Sequence, residues 1–451
     1  MSTGFDLDAL VDDRPADGVF RVHRAVFTDR ALFEQELTRI FESTWVYVAL
    51  DSELPQPHDF VTRHIGHQPV LLTRDGDGRL RGFLNSCRHK GTLLCALRAG
   101  KARFHTCPYH GWVFDSAGRC VELTDQAHGH YPPGFDADGH DLVPLARIDS
   151  YRGFIFASLS PDVPDLAEHL GEARALLDLV ADQAPDGLEF VPGEAGYTFD
   201  GNWKLQFENG LDAYHFATTH AAFVDIVRQR PRPSPPTGAD VPLAAPGPIV
   251  AGTVSVDHGH AMSWSVGAPG QGPENRPLPR DPRLLEAARQ RVGEARLGWM
   301  LRQRNLTIFP NLQLIDIQSL QLRTWQPLAV DRTRMSSRCL APRGESREAR
   351  RFRIRQYEEF FNAGGLATSD DNVMYALNQD GLAASAAGAT QGFARGMAAP
   401  PPPDGTFAAL DLGAARLNAS PAGLAFGDET AMHAGYREWR RLMQRNPETR
   451  S

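Results

Sequence analysis

Cys87-Arg88-His89 and Cys107-Pro108-Tyr109-His110 are two short Cys/His segments separated by a 17-residue loop. That spacing lets two hairpin tips converge on one inorganic centre with four ligands, two thiolates and two imidazoles. Two chemistries use such a set: a tetrahedral Cys2His2 zinc site, or a Rieske [2Fe–2S] cluster with both cysteines on one iron and both histidines on the other. Zinc fingers pair like with like, beginning Cys-x2-4-Cys. Here each segment offers one Cys and one His, which is what a cluster bridging two irons requires. Gly111-Trp112 follows the second pair and reads as a tight backbone approach with an apolar cover. Cys95 and Cys120 read as small core-filling residues.

Working outward, apolar runs around Val70-Leu71-Leu72 and Leu80 to Leu84 flank Asp75-Gly76-Asp77-Gly78, the chemistry of a hairpin turn. Trp112-Val113-Phe114, a turn at Ser116-Ala117-Gly118, Val121 and the run Gly153 to Leu159 extend a small antiparallel unit. Beyond it Asp165 to Gln183 carries Leu166, Leu170, Ala173, Leu176, Leu177 and Val180 at helical spacing, which places a domain boundary near residue 155. Alternation through Leu312, Leu314, Leu320 and Leu322 predicts a second sheet over 305–342. Glu345 to Asn362 reads as a polar helix ended by Gly364-Gly365, with Ser369 as N-cap of the next helix. Three Pro-rich stretches, Pro231 to Pro248, Pro269 to Pro282 and Pro400 to Pro403, read as surface loops. The expected architecture is α+β with an inserted all-β unit.

The chain has 451 residues, enough for two domains, and its 42% hydrophobic and 23% charged composition excludes collagen-like, disordered and disulfide-dense classes. A net charge of −8 is a poor footprint for nucleic acid or anionic lipid, so small molecules and proteins are the expected partners. No apolar run is long enough to cross a bilayer, and Met1 to Phe20 carries no legible targeting signal, so a cytoplasmic location is expected. Five cysteines, four of them between Cys87 and Cys120, suit a reducing compartment where thiols serve metals.

A second constellation follows Asn202-Trp203-Lys204: Glu208-Asn209-Gly210-Leu211-Asp212-Ala213-Tyr214-His215, then His220. On one continuous helix, positions 215 and 220 would point roughly 140° apart, so the helix must end or bend between them for both rings to reach one ion. Asp212 and His215, three apart, would share a face and hydrogen-bond, fixing the imidazole tautomer. A 2-His-1-carboxylate Fe(II) site needs one more acid, usually distant in sequence, and Asp370-Asp371 at a helix start is the best candidate. His258 and His260 form a rival pair read as loop or pocket-lining.

With these motifs the chain resembles the α subunit of Rieske non-haem iron aromatic ring-hydroxylating dioxygenases, and most closely the benzoate 1,2-dioxygenase group. The resemblance runs nearly end to end, through Phe41-Glu42-x2-Trp45-Val46, the Cys/His pairs, Tyr151-Arg152-Gly153-Phe154, Gly201-Asn202-Trp203-Lys204-Leu205, Glu208-Asn209-Gly210, Tyr214-His215, Asp257-His258-Gly259-His260, and Arg355-Gln356-Tyr357-Glu358 through Ala367-Thr368-Ser369-Asp370-Asp371. It implies an all-β Rieske domain, 45–155, inserted in a larger α+β catalytic domain, 1–44 and 156–451, with an antiparallel sheet and helices of the helix-grip (START-like) kind. It further implies Cys87, His89, Cys107 and His110 as cluster ligands, and His215, His220 and Asp371 as ligands of one mononuclear Fe(II). Asp212 is implied as the bridge by which an electron arrives from His110 or His89 of a neighbouring subunit.

The implied activity is that of a terminal oxygenase: O2 and electrons cis-dihydroxylate a benzoate-like aromatic carboxylate, with anthranilate, 2-halobenzoate and salicylate as alternatives. NADH is used indirectly, because no Gly-x-Gly-x-x-Gly follows a strand in this chain, so a flavin/iron–sulfur reductase delivers the electrons, with or without a ferredoxin. A small β subunit in an α3β3 assembly completes the implied partners. Lys90 departs from the usual Arg after the first Rieske His, a change expected to tune the cluster. Ala221-Ala222-Phe223 is smaller than a benzoate enzyme would carry, so an enlarged pocket is expected. Arg323 matches an Arg of the benzoate group and could meet a carboxylate, the alternative being a strand-surface Arg. A zinc-stabilised binding protein, the remote alternative, would leave Asp212, His215, His220 and Asp371 without a role.

Overall fold

The computed structural model describes residues 6–135, 139–212, 214–229, 249–266, 272–413, 415–421 and 428–445. Contacts divide the chain into two compact units, Phe41–Leu166 and a discontinuous one formed by Met1–Ile40 with Ala167–Ser451. The architecture is α+β, with the smaller, all-β unit inserted in the chain of the larger.

In the smaller unit β4 (Asp59–Ile65), β5 (Gln68–Arg74), β6 (Leu80–Leu84) and β7 (Ala99–Lys101) form a sheet in the order β6-β5-β4-β7. β8 (Phe104–Thr106), β9 (Val113–Asp115) and β10 (Cys120–Glu122) form a second, and β3 (Val46–Leu50), β11 (Arg147–Tyr151) and β12 (Phe154–Ser158) a third. The expected division at residue 155 falls inside β12, which is bonded along its length to β11 and β3, so the compact unit extends to Leu166. Two hairpin tips use one device. Asp75 Oδ1 accepts the backbone N–H of Asp77 and Arg79, and Asp115 Oδ1 that of Ala117 and Arg119. Gly78 and Gly118 supply the positive φ, +77° and +85°, that closes each turn.

The larger unit is built on a nine-stranded antiparallel sheet. Its path runs β13 (Leu188–Phe190), β20 (Arg332–Pro342), β19 (Leu320–Ala329), β18 (Leu312–Asp316), β17 (Gln303–Ile308), β16 (Ala261–Ser265), β15 (Ile249–Ser255) and β21 (Arg416–Pro421). β14 (Ala195–Asp200) shares the outer edge of β20 with β13. A separate ribbon pairs β1 (Val11–Arg14) with β2 (Val19–Val22).

Several local expectations change. The 165–183 helix is two, Leu166–Leu170 and Ala173–Ala181, because Gly171 turns left-handed at φ +46° between them. Pro231 to Pro248 and Pro269 lie outside the described residues. The rest of the second Pro-rich stretch is no surface loop: two 3-10 turns, Pro273–Asn275 and Leu278–Arg280, bury Arg276, Leu278 and Pro279, and Pro282 opens a long helix. The helix after Ser346 turns apolar in its last turn, where Tyr357, Phe360 and Phe361 are buried. Ser369 is not a cap. The helix starts two residues earlier than that cap would set, at Thr368, and the Ser369 hydroxyl donates back to the Gly365 carbonyl at 3.3 Å.

A buried charge pins the helix that leads into Asp212, His215 and His220. Asn202 caps Trp203–Asn209, its side chain accepting from the Lys204 N–H. The Lys204 ammonium, 1% exposed, reaches Glu36 at 2.5 Å, and Glu36 also accepts the indole N–H of Trp203 at 2.8 Å and of Trp439 at 2.6 Å. Burial pulls the Lys204 pKa down while Glu36 holds the charge in place. Removing one partner strands the other in a dry site. Lys204→Met should therefore lower unfolding free energy by about 3–5 kcal/mol, read from urea denaturation; a loss below about 1 kcal/mol would show that water reaches the pair.

Candidate metal centres

The two Cys/His loops have one backbone shape. The Cys87 N–H donates to the Thr92 carbonyl at 2.9 Å and the Cys107 N–H to the Trp112 carbonyl at 2.8 Å. Each cysteine carbonyl accepts the N–H of the glycine four residues on, Gly91 or Gly111. Both glycines are left-handed, at φ +73° and +76°, and a Cβ on Gly111 would meet Thr124 Oγ1 at 2.5 Å. Gly91, the partner of Gly111, went unread in the sequence although the Cys-x3-Gly spacing repeats.

Both cysteines are 2% exposed, and burial, with the Cys107 thiol beside it, holds the Cys87 thiol up. The rings of His89 and His110 stand 4.5 Å apart, and Trp112 stacks on His89 at 4.7 Å with 6° between planes. Burial pulls the His89 pKa down, and its Nδ1 is buried with no protein partner, an available metal donor. A tetrahedral zinc, with bonds of ~2.0–2.3 Å, needs its donors within about 4 Å of one another. Among the described residues, only His215, His220 and Asp371 form a set of three or more such donors lying within 4.8 Å. The loops bring the two thiols beside each other and the two imidazoles side by side, a donor set that suits a cluster of two irons.

The second centre comes from two helical regions. After Asn209 the first helix stops at Gly210, where a Cβ would sit 1.8 Å from the Gln313 amide. Asp212 follows in a turn rather than on a helix face. Its Oδ1 accepts the backbone N–H of Tyr214 at 2.8 Å and of His215 at 3.2 Å, while its Oδ2 stands 3.6 Å from His215 Nδ1, beyond hydrogen-bond reach. His215 precedes a single turn, Phe216–Thr219, and His220 breaks the chain at φ −103°, ψ 34° before Ala221–Gln229 begins. That break turns both rings to one point.

Asp371 enters from the first turn of Thr368–Leu382, its Oδ1 at 3.5 Å from His215 Nε2 and 3.2 Å from His220 Nε2. Burial opposes its charge, but the two imidazoles outweigh it and hold the carboxyl far below the usual range. Burial likewise works against a charged His215, yet Asp212 and Asp371 push its pKa up to about 10. The outer nitrogen of His220 meets Asp370 at 3.3 Å, so Asp370 orients that ring with Nε2 turned inward. Asn209, unread as a site residue in the sequence, donates its amide to Asp371 at 3.1 Å and lies 3.3 Å from His215 Nε2. It is 162 positions from Asp371, and no spacing rule connects them. Two imidazoles and a carboxylate on one side suit a divalent iron with open positions.

These donors line a cavity of about 750 Å3 walled by Phe216, Phe223, Phe360 and Ile315. Arg323 lies on its wall, 4% exposed, donating to Thr368 Oγ1 at 3.3 Å while its Nε is buried without a partner. The strand-surface reading of Arg323 is therefore overturned. Ala221 and Ala222 are exposed and line nothing, so no pocket enlargement follows from them; Phe223 alone of the three points inward. His258 and His260 lie outside the cavity. His260 is fully buried, its pKa lowered to about 4 by desolvation, and bonded to the His169 carbonyl and the Phe309 N–H.

Residues 44–143 match the Rieske [2Fe-2S] domain, and residues 185–445 the ring hydroxylating alpha subunit (catalytic domain). The chain is 42% identical over 390 residues to the toluate 1,2-dioxygenase subunit alpha of Pseudomonas putida, covering 85% of this chain and 84% of that one. It is 40% identical over 378 residues to the 2-halobenzoate 1,2-dioxygenase large subunit of Burkholderia cepacia (83% and 80% covered). For the anthranilate 1,2-dioxygenase large subunit of Acinetobacter baylyi the identity is 41% over 386 residues (83% and 80%). A naphthalene 1,2-dioxygenase structure with indole in its active site superposes with TM-score 0.79 at 23% identity, over 97% of this chain and 95% of that one, a likeness of fold. Family matches to both parts of the chain, with relatives of such identity over most of their length, make the chain a member of the Rieske non-haem iron aromatic ring-hydroxylating dioxygenases, as their α subunit.

Proposed function

We propose that this α subunit cis-dihydroxylates an aromatic carboxylate of the benzoate class, including its 2-substituted forms. The observation that carries the reading is Arg323: a buried guanidinium with an unpaired Nε on the wall of the cavity lined by His215, His220 and Asp371. A buried cation with a spare donor is costly unless a ligand's carboxylate completes it. The names of the most similar relatives, which act on toluate, 2-halobenzoate and anthranilate, support the same substrate class.

Cys87, Cys107, His89 and His110 would hold the [2Fe–2S] cluster, and His215, His220 and Asp371 the mononuclear Fe(II). Together these groups supply one-electron transfer and the activation of O2. The net reaction joins arene, O2, two electrons and two protons into a cis-dihydrodiol. Around it, Arg323 anchors the acid group, Phe216 and Phe360 flank the ring, and Asp370 keeps a proton on His220 Nδ1 so that Nε2 faces inward. Asn209 steadies Asp371. Asp212, its side chain a quarter exposed, has Oδ2 directed at His215 and can accept from a Rieske imidazole of a neighbouring subunit. Electrons would come from NADH through a separate flavin/iron–sulfur reductase, with or without a ferredoxin, and a small β subunit would complete an α3β3 assembly; family membership supports these partners.

Cys87→Ser or His110→Ala should abolish the cluster's visible absorbance and low-g EPR signal while mononuclear iron stays bound. Conversely, Asp371→Ala or His215→Ala should lose that iron and turnover yet keep a reducible cluster. Iron retained at wild-type stoichiometry in Asp371→Ala would move the ligand role to another acid.

Asp212→Asn should keep both metals but slow oxidation of the pre-reduced cluster by substrate and O2 in a single turnover. Wild-type oxidation rates in a stable, iron-replete Asp212→Asn protein would remove the bridge.

Arg323→Met should raise KM for benzoate-type acids by roughly 10–100-fold, the worth of a charged hydrogen bond, with much less effect on a neutral arene. NADH-coupled O2 uptake across a panel of aromatic acids measures this; an unchanged KM for every acid would refute the anchoring role.

A further inference from the structure

The wall that carries Arg323 holds a second unsatisfied polar group. Asn305 sits on β17 opposite Ser263 of β16 and Ile315 of β18, while Arg323 sits on β19 opposite Gln313 of β18. Gln313 and Ile315 are two apart on one strand, so Asn305 and Arg323 share the same face of the sheet. Both line the cavity. Asn305 Oδ1 is shielded from solvent and has no hydrogen-bond partner.

The neighbouring amides donate their N–H groups within the protein, and Gln321, whose own Oε1 is also unpaired, does not line the cavity. Gln313 donates to the Gln206 and Phe207 carbonyls and to Thr307, and Gln321 to Ser337 and the Phe361 carbonyl. Asn305 is an amide of the same cavity lining as the metal donors, and its acceptor is unpaired. An unmade hydrogen bond of this kind is costly, so it favours whichever ligand brings a donor.

The backbones of β17 and β19 are two strand spacings apart, roughly 10 Å. The two ends of a ring acid can span that distance. We propose that Asn305 selects aromatic acids that carry an N–H or O–H donor on the ring, an amino- or hydroxybenzoate, over those with an alkyl or halogen substituent. This rests on the seating of the acid group at Arg323. The donor hydrogen-bonds to Asn305 Oδ1, while a methyl or halogen of similar size leaves that oxygen buried and unpaired. Ile315, between the two poles, packs against the ring.

The test is equilibrium binding to the metal-loaded protein by calorimetry, using amino- and methylbenzoates matched at ring positions 2, 3 and 4, benzoate, and aniline beside toluene. Wild type should bind the amino member of at least one matched pair roughly 10–100-fold more tightly. In Asn305→Leu that preference should fall below about 3-fold. Hydroxybenzoates at the same position distinguish an O–H from an N–H donor. Asn305→Ala carries the same comparison if leucine crowds the sheet, and thermal midpoints confirm that both variants are folded. Methyl preferred at every position, or an amino preference untouched in both variants, would overturn the inference while leaving the Arg323 anchor standing. If no acid binds, yet aniline is preferred over toluene in an Asn305-dependent way, the donor subsite holds and the aromatic-acid reading fails. If neither acids nor aniline show the preference, both fall.

Discussion

The larger unit is organised around a carboxylate that stays charged where water hardly reaches. Asp371 is 5% exposed, and its anion persists because two imidazoles and the Asn209 amide face it. A lone buried carboxylate would take up a proton. The cluster that keeps it ionised is also the one fit for a divalent cation, so the electrostatics of these residues and their fitness for metal have one origin. Keeping that cluster in place needs rigid supports. The His215/His220 side follows a helix anchored by Lys204 and Glu36, and Asp371 lies in the first turn of a helix whose Thr368 hydroxyl donates to the Phe361 carbonyl.

Division of labour within the cavity follows from secondary structure. The helices and the buried turn 357–361 contribute the metal donors and the aromatic walls, whereas the sheet contributes a polar face with Arg323, Asn305 and bonded glutamines. Alternation on a strand lets polar groups line a ligand face while the opposite face packs. A ring acid needs both: apolar walls for its faces and polar contacts in its plane. The smaller unit reaches its precision differently, by repetition. Two Asp-capped hairpin tips and two Cys loops closed by glycine set equivalent backbone shapes, and the differing His positions, two and three residues after Cys, place the imidazoles.

Much of this could be read before any coordinates. The paired Cys/His segments, Asp75-Gly76-Asp77-Gly78 and the strand alternation near Leu312 to Leu322 are local signals, carried by residues within a few positions of one another. The need for a bend between His215 and His220 was also legible, since 100° per residue forbids a shared face over five positions. What failed was inference across distance or about orientation. Ala221 and Ala222 point outward because the helix resumes after His220 with its apolar face turned to Phe360. Ser369 looked like a cap, but the chain folds into the helix at Thr368. Asp212 was expected to orient His215 by a side-chain hydrogen bond; it caps the turn's backbone instead, and it is Asp370 that orients a ring, that of His220.

By itself the sequence determined the chemistry available to this protein: which residues can bind metal, where the chain must turn, and how the two kinds of unit succeed one another. Those follow from covalent structure and short-range sterics. The tertiary structure alone decided that Asn209 joins Asp371 and the imidazoles, that Asp370 orients His220, and that Arg323 and Asn305 stand on one wall with unpaired groups. Each of these depends on strand register or helix rotation between segments far apart in the chain, and a shift of one residue would turn the side chain to the opposite face.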